Sequence, residues 1–267
     1  SSDLVLTIQY ARADAGETYA LAVRIANIFE DYLNDSTSAL DWYGKAYLNE
    51  QGASLLDHLV ELTERTEAYG KLVEIGQARL ESGFAGDDEK KSLLFIMAEK
   101  QLNRLEDLEG AKTNFRAILE QWPEEERVLD ALIQIARAEQ NYADLVELLD
   151  RKRVVAAEKN LRRAAAIEMA DICHERFEDN NRAIALLKEL LDERENDAEI
   201  SDKLAFIYEL EGRYEELYEL LNIRLKYLRE EDEFLPVRIQ MGDLLENHLE
   251  RAPEAVALYR ELAINYG

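Results

Sequence analysis

Residues 111–118 read AKTNFRAI, an alanine followed by large apolar residues four and seven positions later. The same pattern recurs at residues 39–46 (ALDWYGKA), 183–190 (AIALLKEL) and 255–262 (AVALYREL), so that successive alanines lie 72 residues apart, although Ala46 is small. Two further sets of positions keep this step: Ala26, Ala98, Ala170 and Gly242, and Leu33, Leu105, Phe177 and Leu249. Three columns that share one step establish an internal repeat.

A second, related unit lies between these segments. Tyr69, Tyr142 and Tyr214 are each followed by a leucine three residues later, and apolar residues at offsets of three precede each tyrosine. Offsets of three mark one face of a helix. Each 72-residue period therefore contains two helix pairs, with alternating spacings of about 34 and 38 residues.

A repeat of about 34 residues, with a small residue in its first helix and Ala-x3-aromatic in its second, resembles the tetratricopeptide repeat. The strongest local matches are residues 211–217 (EGRYEEL) and Ala111-x3-Phe115 followed by Trp122-Pro123. The resemblance covers nearly the whole chain. It implies an all-α, right-handed superhelical solenoid of antiparallel helix pairs with a concave peptide-binding groove. We expect about seven pairs plus a leading half pair, forming one domain over residues 1–267 that is a window from a longer array.

The composition agrees with helices and restricts the partners. The chain has 267 residues and a net charge of −25, and only 11 glycines and 3 prolines. An all-β fold would need more turn residues, and a hydrophobic content of 47% argues against disorder. The acidic charge opposes binding to nucleic acid and to anionic membranes, which attract Lys and Arg.

The sequence carries neither a long apolar segment nor a paired cysteine. Cys173 is the single cysteine, and no run of about 18 apolar residues is present. The start of the sequence lacks the basic and apolar regions of a signal peptide. We therefore expect a cytoplasmic location, with a periplasmic one left open.

No group of residues predicts catalysis. His58, His174 and His248 lie on first helices of different repeats, and no His or Cys pair has the i, i+4 spacing of a zinc site. Cys173, which precedes His174, shares the helical face of Ala170 and Phe177 and is predicted to lie in the core. We predict no enzymatic activity, no metal and no cofactor.

Two charged runs are interpreted as surface features. The basic residues between Arg151 and Arg163 are read as a solvated helix end and loop, with a docking patch or an internal counter-charge as alternatives. The acidic run Glu230–Glu233 is predicted to be a solvated loop between two helices.

The resemblance places several columns of the first helices on the groove, and one column is acidic in three alternate repeats. A recurring acid on one surface attracts Lys and Arg side chains. We therefore predict a protein-interaction scaffold that binds a basic or extended protein segment on an acidic concave face, with apolar anchors such as Phe95 or Phe206. The alternative is a structural segment of a larger array that assembles end-to-end or with its own copies. The predicted groove residues are Asp57, Glu61, Glu99, Asp130, Gln134, Asp171, Asp202, Phe206 and Asp243, with Asn27 in the column of Glu99.

Overall fold

The computed structural model describes residues 7, 9–11 and 15–266, and these residues contain helices and turns but no β-strand. A π-helical segment, Ile28–Tyr32, extends the first helix, and a 3-10 segment, Glu50–Leu55, precedes the third. The prediction of an all-α fold is confirmed. Residues 7 and 9–11 are helical as well. From Ala15 onward, the α-helices are α1 Ala15–Asn27, α2 Ser36–Tyr47, α3 Leu56–Thr66, α4 Tyr69–Ser82, α5 Asp87–Asn103, α6 Leu108–Gln121, α7 Glu126–Ala138, α8 Tyr142–Val155, α9 Lys159–Glu175, α10 Asn180–Glu193, α11 Ala198–Leu210, α12 Tyr214–Leu225, α13 Glu231–Asn247 and α14 Ala252–Tyr266.

The helices pack in adjacent pairs, and the chain forms two compact units. Unit 1 comprises residues 1–135, and unit 2 comprises residues 136–267. Within each unit, helices contact their neighbours along the chain, with α1 on α2 and α5 on α6 in unit 1, and α9 on α10 and α13 on α14 in unit 2. We call the odd-numbered helices first helices and the even-numbered ones second helices.

The small-residue columns lie where the helices of a pair meet. Ala98 of α5 and Ala111 of α6 are both fully buried, and the equivalent alanines of the other pairs are buried as well. In α13 the position is Gly242, where an added Cβ would lie 2.5 Å from Cε1 of Tyr259. Small side chains allow the two helix axes to approach closely, which explains why the column keeps its step.

Aspartate side chains begin several second helices. Asp35, Asp107 and Asp179 accept hydrogen bonds from backbone N–H groups three residues later, at 3.0, 2.9 and 3.0 Å. Such caps satisfy donors that the first turn leaves without partners. The three aspartates therefore fix the starts of α2, α6 and α10.

A buried ion pair lies inside unit 1. The Arg79 side chain is 0% exposed, and its Nε and Nη2 donate to the two carboxylate oxygens of Glu89 at 2.9 and 3.1 Å. Its Nη1 donates to the backbone oxygen of Asn49 at 2.6 Å, and the guanidinium lies 5.0 Å from the ring centre of Tyr47. Arg79 therefore joins α4, α5 and the segment after α2.

This environment gives Glu89 a pH-dependent role. Burial alone would raise the pKa of the Glu89 carboxyl, but hydrogen bonds and the charge of Arg79 outweigh it and hold that pKa below its ordinary value of 4.5. A carboxyl whose pKa is lower in the folded protein stabilises the fold above its unfolded-state pKa. This stabilisation is lost as the pH falls through the lower, folded-state pKa.

We expect Glu89→Gln to lower the free energy of unfolding by about 1–3 kcal/mol at neutral pH, because it weakens a buried, charge-assisted hydrogen bond. The difference from wild type should shrink as the pH falls below about 4. Urea unfolding at a series of pH values, followed by tryptophan fluorescence, measures it, since both tryptophans, Trp42 and Trp122, lie in unit 1. If the difference in unfolding free energy between wild type and Glu89→Gln stayed constant from neutral pH to below about pH 4, it would contradict the lowered pKa of Glu89.

Candidate partner-binding surface

The predicted groove residues of unit 1 lie on three first helices. Asp57 and Glu61 are exposed on α3, Glu99 is half-buried on α5, and on α7 Asp130 is half-buried and Gln134 is exposed. We call this the first-helix surface of unit 1. The acidic column of alternate repeats therefore joins α3 and α7, and Glu99 lies on α5, the first helix between them.

A pocket of about 570 Å³ opens on this surface near the starts of α3, α5 and α7, and we call it the α3–α5–α7 pocket. Its floor is apolar and its rim is charged. The floor consists of Leu56, Phe95, Ile96, Ile118 and Val128, and the rim of Asp57, Asp88, Lys91, Ser92, Glu125 and Arg127. Apolar pockets with a few charged groups are typical of binding sites.

The cations of the rim already have protein neighbours. Lys91 forms an ion pair with Glu125, and the Arg127 guanidinium lies 4.7 Å from the ring centre of Phe95. Asp57 and Asp88 form neither an ion pair nor a hydrogen bond through their side chains within the described part of the chain. Two rim carboxylates therefore remain for a partner.

A polar cluster borders Glu61 on the same surface. His58 Nε2 lies 2.8 Å from Oε2 of Glu30, and Oε1 of the same carboxylate accepts a hydrogen bond from Nη1 of Arg65 at 2.8 Å. Burial raises the pKa of Glu30, but its bonds to His58 and Arg65 bring the net value below the ordinary one. Burial and the Glu30 charge raise the pKa of Tyr43, whose ring packs on His58, to about 12. The cluster joins the π-helical segment to α2 and α3 and accounts for His58 structurally.

Asn27, at the end of α1, also has a partner within the fold. Its side-chain oxygen accepts a hydrogen bond from the Tyr43 hydroxyl. The interaction ties α1 to α2.

In unit 2, the predicted acids have partners within the protein. Asp171 of α9 forms an ion pair with Lys203 of α11 at 2.6 Å, and Asp202 forms one with Arg224 of α12. Asp243 accepts a hydrogen bond from Asn247 at 2.6 Å. The ion pairs of Asp171 and Asp202 link first helices to neighbouring helices and partly compensate these two charges, whereas Asn247 is a neutral residue one turn along the same helix as Asp243.

Phe206 behaves differently from these acids. Its side chain is 59% exposed on α11, and its ring meets that of His174 edge-to-face at 5.7 Å. Leu210, one turn later, is also largely exposed. An exposed aromatic beside an exposed leucine is suited to contact a partner.

The basic run contributes counter-charges to unit 2. Arg153 contacts Glu189 of α10 at 2.8 Å, and Arg163 contacts Asp197 at 3.0 Å and Glu199 at 2.7 Å near the start of α11. For Arg153 and Arg163, the structure favours the internal counter-charge over a free docking patch.

The acidic run differs from the sequence prediction of a loop. Glu230 precedes α13, whereas Glu231, Asp232 and Glu233 form its first turn. Carboxylates in a first turn interact favourably with the helix dipole. The physical reason for the error is that a dense acidic run is compatible with a helix start.

The metal and thiol candidates lie in structural positions. Cys173 is fully buried, and burial raises the pKa of its thiol. His174 contacts Asn180 through Nδ1 at 2.6 Å. Across the described residues, no three His, Cys, Asp or Glu side chains converge on a metal-binding position. None of the helices described combines the length and apolar character needed to cross a membrane.

The residues of the two repeat motifs occupy turns and buried positions of the helix pairs. In the EGRYEEL stretch, Gly212 adopts a left-handed φ of 67° between α11 and α12, and Leu217 is buried. In α6, Ala111 and Phe115 face the core. The chain has a tetratricopeptide-like helical repeat fold. In unit 1 of this repeat, the first helices carry both the acids and the pocket.

The comparisons with known proteins describe what this fold is similar to and say nothing about the function of the chain. No protein-family model matches the chain, and the comparison with curated proteins also found no match. Among solved structures, it is similar to a tetratricopeptide repeat protein from Parabacteroides merdae ATCC 43184, at 15% identity and a TM-score of 0.41 over 93% of each chain. It is similar to MamA protein at 17% identity and a TM-score of 0.39, over 67% of this chain and 96% of that one. Yeast Tom70 is similar at 14% identity and a TM-score of 0.36, over 97% of this chain and 56% of that one.

The sequence did not identify most of the pocket. Asp57 and Phe95 were named as candidates, whereas Asp88, Ser92 and Arg127 were not. The missed residues lie in the first two turns of α5 and the first turn of α7. A sequence column indicates which face of a helix a residue lies on, but not which turns of neighbouring helices lie side by side. The available signal was Phe95, an apolar residue that follows Lys91 and Ser92 by four and three positions and so shares their face of the helix.

Proposed function

We propose that this chain is a non-catalytic scaffold that binds a basic or extended segment of another protein on its first-helix surfaces. The observation that supports it is the α3–α5–α7 pocket, which combines an apolar floor with two carboxylates that have no side-chain partner among the residues that the structure describes. The proposed binding residues are Asp57, Glu61, Glu99, Asp130 and Gln134 in unit 1, and Asp171, Asp202, Phe206 and Asp243 in unit 2.

Physical considerations favour a protein partner of this kind. The helices are formed before binding, so the partner bears most of the ordering entropy. The net charge of −25 accelerates encounter with a basic segment, and exposed apolar side chains then provide contact area. In unit 2, Lys or Arg of the partner would share Asp171 and Asp202 with Lys203 and Arg224.

The acidic net charge also restricts the partners of the scaffold. Nucleic acid and anionic membrane surfaces are disfavoured as partners, since both carry negative charge. We propose that the protein acts without a cofactor, and that it works in the cytoplasm.

Photo-crosslinking tests which surface contacts the partner. A photo-reactive amino acid at Glu61 of α3 should crosslink a protein from a lysate of the source cells, whereas the same group at Glu74 of α4 should not. Both glutamates are exposed and lie on the two helices of one pair, so they form a matched comparison. Equal crosslinking from both positions, or crosslinking from Glu74 alone, would contradict binding on the first helices.

Self-assembly is the second candidate function. The last described helix, α14, exposes Ile264 at 83% and also Val256, and apolar side chains on an open helix face favour association. Sedimentation of the purified chain at several concentrations distinguishes the candidates. A molecular mass that rises with concentration, and returns to that of a monomer in Ile264→Lys, would favour self-assembly.

A further inference from the structure

The α3–α5–α7 pocket has the size and lining to take one large apolar side chain together with part of the segment that carries it. Its volume of about 570 Å³ lies within the range of ligand sites, and its floor is built from buried Leu56, Ile118 and Val128 with half-buried Phe95 and Ile96. Phe95 is also supported from behind, since its ring meets Phe115 edge-to-face at 5.8 Å. A rigid apolar floor of this kind favours an apolar side chain over a polar one.

The charges around the floor favour basic neighbours of that side chain. The rim has three carboxylates, Asp57, Asp88 and Glu125, and two cations, Lys91 and Arg127. Lys91 and Glu125 neutralise each other, and Arg127 lies over Phe95. The carboxylates of Asp57 and Asp88, on the α3 and α5 side, are therefore available to Lys or Arg of a bound segment.

We infer that the α3–α5–α7 pocket binds one large apolar side chain of a protein segment in which the neighbouring residues are lysine or arginine. The inference rests on the proposed function and specifies the partner's chemistry at this site. The apolar side chain contacts the floor, and a flanking cation contacts Asp57 and Asp88. Affinity then depends on both features together.

Methyl NMR with short synthetic peptides tests the inference, because Ile96 and Ile118 place two isoleucine methyl groups in the pocket. The probes are acetylated, amidated pentapeptides: Lys-Lys-Phe-Lys-Lys, its analogue with alanine in place of phenylalanine, and its analogue with four glutamates in place of the lysines. Ile96→Val and Ile118→Val variants assign the two signals.

The phenylalanine peptide should shift both signals saturably. The alanine peptide should bind about tenfold more weakly, because less apolar area is buried. The glutamate peptide should leave both signals unchanged. Equal binding of the phenylalanine and alanine peptides would overturn the apolar specificity, and equal binding of the glutamate peptide would overturn the basic one.

A pair of variants at Ser92 separates blocking from misfolding. Ser92 is exposed on the rim, so Ser92→Trp should fill the pocket and abolish the shifts, while Ser92→Ala should keep them. Unchanged shifts at methyl groups outside the pocket confirm that the fold is kept. Binding of the phenylalanine peptide that persists in Ser92→Trp would overturn the inference.

The outcomes also separate this inference from the proposed function. Peptide binding seen by calorimetry without changes at Ile96 and Ile118 overturns the pocket inference but leaves the first-helix proposal standing. A second copy of the chain is the other possible occupant, because the chain carries a basic and aromatic segment, residues 226–229 (KYLR). If the signals of Ile96 and Ile118 move when the protein alone is diluted, the pocket binds a second copy and the pocket inference is overturned.

Discussion

Replacement of Arg79 by alanine is expected to destabilise unit 1 by about 3–5 kcal/mol. The guanidinium is fully buried, and its removal leaves the Glu89 carboxylate and the Asn49 carbonyl without their donor. A buried charge that has lost its partner strongly destabilises the fold. Replacement of the whole ion pair by two apolar side chains changes the stability much less. Urea unfolding followed by the fluorescence of Trp42 and Trp122 measures the change in unit 1.

A double variant provides the control for this prediction. Arg79→Met combined with Glu89→Leu removes both charges at similar volume and should recover most of the lost stability. A single variant that loses less than about 1 kcal/mol would show that the pair is not the structural link described here. A double variant as unstable as the single one would assign the loss to packing.

Reversal of three acids on first helices is expected to reduce partner binding by tenfold or more, since it replaces attraction with repulsion at each site. The variant is Asp57→Lys, Asp130→Lys and Asp202→Lys. Asp57 lies on the pocket rim, Asp130 is half-buried on α7, and Asp202 interacts with Arg224. The effect should decrease at higher salt, because exposed charges are screened.

The same variant should keep its fold. Asp57 and Asp202 are exposed, and the loss of an exposed ion pair such as Asp202–Arg224 costs about 0–1 kcal/mol. Far-UV circular dichroism should therefore match that of wild type, and the melting temperature should fall only modestly, with most of the fall at Asp130, which is half-buried and interacts within the fold. A large fall in melting temperature would assign lost binding to unfolding.

The repeat could be read from the sequence because each column has a geometric requirement. Ala98 and Ala111 are buried where two helices approach closely, and Gly242 leaves room for Tyr259. Asp35 and Asp179 mark helix starts because their side chains cap them. Short-range rules of this kind depend on spacing along the chain, which the sequence shows directly.

The binding surface was only partly predictable because it depends on contacts between distant residues. The acidic column Asp57, Asp130 and Asp202 looks uniform in the sequence, but Arg224 compensates Asp202 while Asp57 lies beside a pocket. Arg163 likewise contacts Asp197, 34 positions away. Which charges pair is decided by how successive helices lie against each other, and a column of residue types does not contain that information.

The most direct test of the scaffold proposal is a quantitative pull-down from a lysate of the source cells, at low and moderate salt, with retained proteins identified by mass spectrometry. It compares wild type, the triple variant at Asp57, Asp130 and Asp202, and a control with the same charge change on exposed residues of second helices. The control is Glu74→Lys, Glu120→Lys and Glu147→Lys. We predict a protein that wild type and the control retain and the first-helix variant loses. Retention of the same proteins by all three would contradict binding on the first-helix surfaces.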